Sequence, residues 1–425
     1  MKTNSRLGCW SLLLGGLSLL LWGCGGGGGS ATADAPTETV AQADGTLVIA
    51  SVDRSLARRE LLGKLLFNDR SLSEPRGTSC RSCHQPVQGF AGLNDAPRFI
   101  GTPQGSRVGV FGLRAAMSNA YQSLIPAFDF RADNGELEAI GGHFWDGRAL
   151  SLEAQALGPL LNPAEMNNAS ASAVVAKVQN SPLARTFRAE FGADAFADTA
   201  TAFSNIGVAI AAFNRSAQLQ TFSSKYDAMI QGRATFSAAE QRGMALFRDP
   251  LRANCAGCHL MNPASSNPKD SPFSEFTYYA TGIPRNFNLS QNFDPNFYDL
   301  GLCGPNRSKP TLPASAPAGI TVENFCGKFR MVSLRNVTER PTWMHNGVFK
   351  SLREVIRFYS TRNTDPTRWY GPSGVANDLP SAYLANIEKN KAPFNRPVNA
   401  GPLLSEPEID DLLAFLRTLN DGFVR

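Results

Sequence analysis

The sequence lacks the charge imbalance that would indicate a nucleic-acid partner, since 41 basic and 36 acidic residues give a net charge of only +5. It also lacks a run of strands with alternating apolar and polar residues, so a β-rich fold is not expected. The uncharged segment 7–22 near the N-terminus is too short to span a bilayer. These absences leave a mainly α-helical globular protein, and the length predicts two or three domains.

The first 23 residues are typical of a signal peptide, because two basic residues precede the uncharged segment 7–22. The sequence LWGC then ends at Cys24 and resembles the lipobox of bacterial lipoproteins. We therefore predict export, with a lipid on Cys24 that anchors the protein to a membrane; cleavage without lipidation is the alternative. Residues 24–50 are rich in glycine near their start and have no apolar periodicity, which predicts a flexible tether.

Histidine is scarce, with four residues in the whole chain. Two of the four end a Cys-x-x-Cys-His motif, CRSCH at 80–84 and CAGCH at 255–259. In this motif the thiols bond to the porphyrin vinyl groups and the histidine ligates the iron. The sequence therefore predicts two covalently bound c-type haems. Their attachment residues are Cys80, Cys83, His84, Cys255, Cys258 and His259.

No histidine occurs between residues 85 and 142, so a second histidine ligand is not available just after the first motif. The iron bound by His84 is therefore expected to keep an open sixth position, which the binding and cleavage of a peroxide require. Of the two remaining histidines, His143 is expected to be structural.

Two cysteines remain after Cys24 and those of the motifs and the signal peptide are assigned, namely Cys303 and Cys326. In an exported, oxidising setting they are predicted to form a disulfide. A metal site is the alternative, but no histidine or further cysteine pair lies near them in the sequence.

An internal repeat precedes the two motifs. A helix predicted at 55–67 ends LGKLLF and one predicted at 236–247 ends RGMALF, so each places a glycine four residues before a phenylalanine. We predict two cytochrome c-type haem domains with long loops, spanning 51–230 and 231–425. Residues 262–319 are rich in Pro, Ser and Asn and are predicted to form one of these loops.

The segment HFWDGRALSLEAQALGPLLNPAEM at 143–166 resembles the bacterial di-haem cytochrome c peroxidase and MauG family. The later segments FRMVSLRNV, WMHNG and DLLAFLRTL match the same family. The resemblance implies that Trp145 relays electrons between the haems, Glu165 transfers the peroxide proton and Gln155 orients the peroxide, with Pro159 in the same pocket. Judged without it, Trp145 is more typical of a core and Glu165 of the first turn of a helix.

The ligand of the second iron distinguishes two kinds of enzyme within this family. The resemblance places Tyr359 where ordinary di-haem peroxidases have a Met ligand and where MauG has a Tyr ligand. We therefore predict that Tyr359 ligates the iron held by His259. Met331 and Met344 are the alternative ligands, and Tyr359 also continues an apolar helical stripe, which is typical of a core residue. His345, within WMHNG, is predicted to contact this haem.

The resemblance further implies a calcium ion between the haems, bound by the side chain of Asn119, backbone carbonyls and water. In the partner segment, Arg340 and Thr342 stand where the family usually has Thr and Pro. Because the family's ligands there are carbonyls the site can survive, although Arg340 brings a positive charge close to it.

The sequence thus predicts a periplasmic, lipid-anchored di-haem peroxidase that reduces hydrogen peroxide to water. In this scheme 51–230 is the peroxidatic domain and 231–425 the electron-transfer domain. The electrons would come from a small periplasmic donor, a cytochrome c or a cupredoxin, or from a protein substrate. Two alternatives remain: a MauG-like oxidase that modifies residues of a partner protein, and a non-enzymatic di-haem electron carrier.

Overall fold

The computed structural model describes residues 40–41, 47–48, 57–133 and 135–424. The predicted signal peptide, 1–23, lies outside the described residues. So does the predicted tether, 24–50, apart from Val40–Ala41 (β1) and Leu47–Val48 (β2), which pair antiparallel. None of the helices in the described ranges is both long and apolar enough to cross a bilayer.

The fold is largely helical, as predicted. The α-helices are α1 (Arg58–Asn68), α2 (Cys80–Cys83), α3 (Leu152–Leu161), α4 (Ala171–Gln179), α5 (Leu183–Phe191), α6 (Thr199–Asn214), α7 (Lys225–Ile230), α8 (Ala238–Arg248), α9 (Leu352–Thr361), α10 (Pro366–Tyr370) and α11 (Glu406–Arg417). Local sequence explains where the repeated helix α8 begins, because Ser237 and Glu240 form a capping box that satisfies its first free N–H groups.

Four further short strands complete the regular structure. They are β3 (Asp129–Asp133), β4 (Glu136–Ile140), β5 (Tyr278–Tyr279) and β6 (Phe329–Arg330). Strands β3 and β4 form an antiparallel hairpin that the sequence analysis did not predict. Only Leu137 and Ala139 of β4 are buried, so its apolar alternation is too short to stand out in the sequence.

The glycines of the internal repeat mark two close helix crossings. A Cβ added to Gly63 in α1 would lie 1.9 Å from the carbonyl oxygen of Ala209 in α6. A Cβ added to Gly243 in α8 would lie equally close, 1.9 Å, to the carbonyl oxygen of Asp411 in α11. Glycine is required at both positions because any side chain would push the crossing helices apart.

The repeated phenylalanines pack at the same two crossings. Phe67 meets Phe213 edge-on with ring centroids 5.3 Å apart, and Phe247 meets Phe415 in the same way at 5.1 Å. Each motif-bearing segment is thus preceded by a helix held against a later helix by one glycine and one aromatic pair.

Two large hydrophobic cores follow from these crossings. One is built from buried residues between positions 62 and 219, and the other from buried residues between 226 and 419. The described residues between 57 and 424 nevertheless belong to one compact unit.

The region between α8 and α9 contains no α-helix, and it includes the predicted loop 262–319. Within it, the predicted disulfide between Cys303 and Cys326 is confirmed. The disulfide lies beside a smaller apolar cluster that contains Leu302 and Phe325.

Candidate di-haem active site

A cavity of about 370 Å³ lies beside the first Cys-x-x-Cys-His motif. This cavity brings together most of the predicted residues of the peroxide site: Cys83, His84, Trp145, Gln155, Pro159 and Glu165. Asn119 also lines it.

The ring of His84 is oriented for metal binding. Its Nδ1 lies 2.9 Å from the carbonyl oxygen of Phe90, and an Nδ1–H donor there leaves Nε2 available as a ligand. Burial lowers the pKa of His84, so the imidazole is neutral, as a metal ligand must be. These features fit the proximal side of a haem.

A second cavity, with two adjoining lobes of about 120 and 110 Å³, lies beside the second motif. His259 repeats the arrangement of His84, since its Nδ1 lies 3.0 Å from the carbonyl oxygen of Phe273. Burial lowers the pKa of His259 to about 4. The predicted residues that line the lobes are Cys255, Cys258, His259, Met331, Met344, His345 and Tyr359.

In the described part of the chain, none of the four motif cysteines forms a disulfide. Cys80 packs against the first core and Cys255 against the second. Cys83 lines the first cavity, and Cys255 and Cys258 line the second, where thioether bonds to a haem would form.

Trp145 lies between the two cavities. Among the described residues it is the only one that lines both the His84 cavity and the His259 cavity. The indole is 7% exposed, and its Nε1–H donates to the carbonyl oxygen of Ala115 at 2.8 Å. The indole is therefore fixed at the boundary between the two sites.

Glu165 reaches the His84 cavity from the turn that follows α3. Its Oε1 accepts a hydrogen bond of 2.6 Å from Nδ2 of Asn162. Burial raises the pKa of Glu165, while Arg148 and the Asn162 hydrogen bond act in the opposite direction. A carboxyl group with a raised pKa is suited to taking up and returning a proton.

Gln155 and Pro159 lie one turn apart on α3, so both face the same cavity. Among the described residues the Gln155 side chain has no hydrogen-bond partner, which leaves its amide available to a small polar ligand.

Tyr359 on α9 lines both lobes of the second cavity together with His259. Among the described residues its hydroxyl has no hydrogen-bond partner, and burial raises its pKa. Its ring stacks on Phe394 with centroids 5.2 Å apart. Val355 and Ile356 of the same apolar stripe are buried and also line the cavity. Tyr359 can therefore be a core residue and face the second haem at the same time.

His345 also lines the second cavity, and its ring stacks on Phe329 at a centroid distance of 3.5 Å. Its buried Nε2 makes no hydrogen bond but lies 3.6 Å from Oδ2 of Asp378. His143, in contrast, is buried and its Nδ1 lies 3.3 Å from Oε1 of Gln122, and it lines neither cavity. This position agrees with the structural role expected for His143.

Asn119 is 9% exposed, and its side-chain amide has no hydrogen-bond partner among the described residues. A buried amide of this kind is free to ligate a cation through its oxygen. Arg340 lies nearby and donates from Nη2 to the carbonyl oxygen of Ala116 at 3.1 Å. Burial lowers the pKa of Arg340 to about 10.

The sequence analysis missed a group of residues from the long loop that also line the His84 cavity. They lie more than 200 positions after His84, and nothing in their local sequence marks them as part of a site. They are Gln291, Phe297, Pro305 and Asn306.

Comparisons with known proteins agree with this arrangement. The family profile of di-haem cytochrome c peroxidase matches residues 57–235. The chain is 32% identical to methylamine utilization protein MauG of Paracoccus denitrificans over 372 residues, which cover 85% of this chain and 88% of that protein.

Two solved structures have the same fold. The diheme peroxidase BthA from Burkholderia thailandensis is 38% identical, with a TM-score of 0.79 and coverage of 91% of this chain and 92% of BthA. A MauG-like protein associated with microbial copper homeostasis is 27% identical, with a TM-score of 0.57 and coverage of 92% of this chain and 96% of that chain. The two cavities, each beside one Cys-x-x-Cys-His motif, agree with these comparisons. This chain belongs to the di-haem cytochrome c peroxidase and MauG family.

Proposed function

We propose that this oxidoreductase reduces hydrogen peroxide to water at the haem held by His84. One peroxide, two protons and two electrons give two waters. A haem iron with one open face supplies the binding and reductive cleavage of the O–O bond. The chain's own residues orient the peroxide, move its proton and conduct the electrons.

The observation that carries this proposal is the difference between the two cavities on either side of Trp145. The His84 cavity contains Glu165 and Gln155, which suit a polar reactant. The His259 cavity contains Tyr359, which suits a ligand that closes the iron. Accordingly, 51–230 is proposed as the peroxidatic haem domain and 231–425 as the electron-transfer haem domain, and the two separate hydrophobic cores support this division.

Glu165 is proposed to take the proton from the near oxygen of the peroxide and return it to the leaving oxygen. Its raised pKa supports both steps, because the carboxylate then holds the proton between them. Gln155 would orient the peroxide through its free amide, and Pro159 would shape the same wall without a donor of its own.

Tyr359 is proposed as the ligand of the second iron. Its hydroxyl, which has no hydrogen-bond partner among the described residues, supports this role, because metal binding would satisfy an oxygen that otherwise lacks one. Met331 lines the same two lobes and Met344 lines one of them, so a thioether ligand is the competing assignment.

A calcium ion is proposed at Asn119, supported by the free buried amide. Dialysis against a chelator, followed by metal analysis and by EPR of both haems, tests this assignment. Retained spectra together with an absence of calcium in the untreated protein would contradict it, and Arg340 would then be the cation of this region.

The protein is proposed to act in the periplasm, anchored by a lipid on Cys24. Its electrons would come from a small cytochrome c or cupredoxin. The alternative, oxidation of residues in a partner protein as in a MauG-like enzyme, is favoured specifically by Tyr359 in the His259 cavity.

Titration of the diferric protein with hydrogen peroxide, followed by EPR and optical spectra, tests the proposal. One haem should be high-spin before peroxide is added, and peroxide should oxidise the protein by two equivalents. Two low-spin haems that do not react with peroxide would leave only the electron-carrier function.

A further inference from the structure

The long loop of the second half of the chain forms part of the wall of the His84 cavity in the first half. Gln291 and Phe297 line the His84 cavity together with Gln155 and Glu165, although they follow the second haem motif in the sequence. The peroxide site is therefore built from both halves of the chain.

The exposure of the loop residues places them at the entrance of the cavity. Gln291 and Phe297 are partly buried, whereas Pro305 and Asn306 are exposed, yet all four line the cavity. Side chains that face both a cavity and solvent border its opening. We call these four residues the rim.

A buried arginine holds the first part of the rim. Nη2 of Arg285 donates to the carbonyl oxygens of Asn292, Asp294 and Phe297 at 3.3, 2.9 and 2.8 Å. Arg285 is 6% exposed, and its guanidinium lies 4.9 Å from the ring centroid of Tyr298. Three carbonyl contacts to one buried guanidinium fix the backbone that carries Phe297.

The rim is also held against the first half of the chain. Asp299 forms a bidentate ion pair with Arg114, with both N–O distances 2.7 Å, and both side chains are almost fully buried. Arg114 itself lines the His84 cavity. Phe297 lies two positions before Asp299. Its backbone is therefore fixed by Arg285 and, through Asp299, by Arg114.

The second part of the rim follows the disulfide. Cys303 is bonded to Cys326, and Pro305 and Asn306 follow Cys303 after one glycine. The backbone N–H of Leu302 donates to the carbonyl oxygen of Lys328 at 3.1 Å. Leu302 and Cys303, which precede Pro305 and Asn306, are therefore joined to the segment 326–328.

We propose that the rim is a rigid size filter that restricts the His84 site to hydrogen peroxide and excludes organic hydroperoxides, with Phe297 as the specificity-determining side chain. This inference rests on the proposed function, since it names the substrate class of the same site. A rigid wall discriminates by the steric cost that it imposes on a bulkier ligand, whereas a flexible wall would move aside.

Ligand binding to the diferric full-length protein tests the filter without turnover. Cyanide and imidazole are titrated separately, and loss of the high-spin EPR signal of the His84 haem reports binding. The wild type should bind cyanide much more tightly than imidazole. Phe297→Ala should strengthen imidazole binding about tenfold or more and change cyanide binding by less than about twofold.

Phe293→Ala is the matched control, because Phe293 lies on the same loop but is 73% exposed and does not line the cavity. It should bind both ligands as the wild type does. Gln291→Ala serves as a second rim variant if Phe297→Ala loses haem, and it should also strengthen imidazole binding. The ratio of rates with tert-butyl hydroperoxide and hydrogen peroxide should rise in the rim variants alone.

Equal imidazole affinity in the wild type, the rim variants and Phe293→Ala would overturn the filter while leaving the proposed function intact. Failure of cyanide to bind the wild type would overturn the open iron itself, and the proposed function together with the filter.

Discussion

The indole of Trp145 meets the imidazole of His345 edge-on, with ring centroids 6.4 Å apart. Burial lowers the pKa of His345 to about 3, so this neighbour stays neutral at physiological pH. A charged imidazolium at this distance would oppose any positive charge on the indole, whereas a neutral ring does not. At the boundary of both cavities, Trp145 thus has a neutral aromatic neighbour, which would not oppose the oxidation proposed for the indole.

Trp145→Phe should leave the EPR spectra of both diferric haems almost unchanged but prevent the two oxidising equivalents from being shared between them. Phenylalanine keeps an aromatic ring in the gap but is much harder to oxidise than tryptophan. Rapid-mixing optical spectra after peroxide addition measure the effect. Trp343→Phe is the control, because Trp343 is buried and lines only the His259 cavity, and it should share the equivalents normally.

Glu165→Gln should slow the reaction with peroxide by about 100- to 10,000-fold, because an amide cannot accept the peroxide proton. Haem content should stay at the wild-type value, as measured by pyridine haemochrome spectra. Glu153→Gln is the control, since Glu153 pairs with Arg215 at the surface and does not line the cavity. A rate near that of the wild type in Glu165→Gln would make Glu165 structural.

The rate of peroxide reaction should fall as the pH drops through the pKa of Glu165. The carboxylate is the active form, and burial raises its pKa, so the half-maximal rate should lie above the value of about 4.3 typical of an exposed glutamate. Stopped-flow rates across a pH series give the profile. An identical profile in Glu165→Gln would assign the dependence to another group.

Tyr359→Phe should change the spectrum of the His259 haem and leave that of the His84 haem intact. A phenolate ligand favours oxidised iron, so its loss should also raise the reduction potential of the second haem. Tyr370→Phe is the control, because the hydroxyl of Tyr370 donates to the carbonyl oxygen of Gly282 and lines neither lobe. A near-infrared band of methionine ligation in the wild type, unchanged in Tyr359→Phe, would contradict the assignment.

Replacement of Cys80 and Cys83 by alanine should leave one haem on the denatured chain, and replacement of all four motif cysteines should leave none. Each haem depends on its own pair of thiols, because Cys83 lines the first cavity whereas Cys255 and Cys258 line the second. Acid-acetone extraction followed by absorbance of the protein measures the covalent haem. Haem retained by the fourfold variant would show attachment elsewhere.

Much of the site was accessible from sequence because its chemistry is local. The residues of a Cys-x-x-Cys-His motif are neighbours in the chain, so short-range spacing alone predicts their function. The glycine and phenylalanine repeat is equally local, and it marked the helices α1 and α8, although the predicted helices began two to three residues early. For α8 the capping box of Ser237 and Glu240, which the sequence itself contains, makes Ala238 the first helical residue.

The tertiary structure decided which distant residues come together around the two haem motifs. The sequence by itself determined two haem attachment motifs, a largely helical fold and a scarcity of histidine, from which an open position on the first iron is predicted. The family resemblance had implied a position between the haems for Trp145, but only the packing brought Phe297 of the late loop into the wall of the cavity that Glu165 also lines. Contacts between such distant segments depend on how helices and loops pack and not on local spacing.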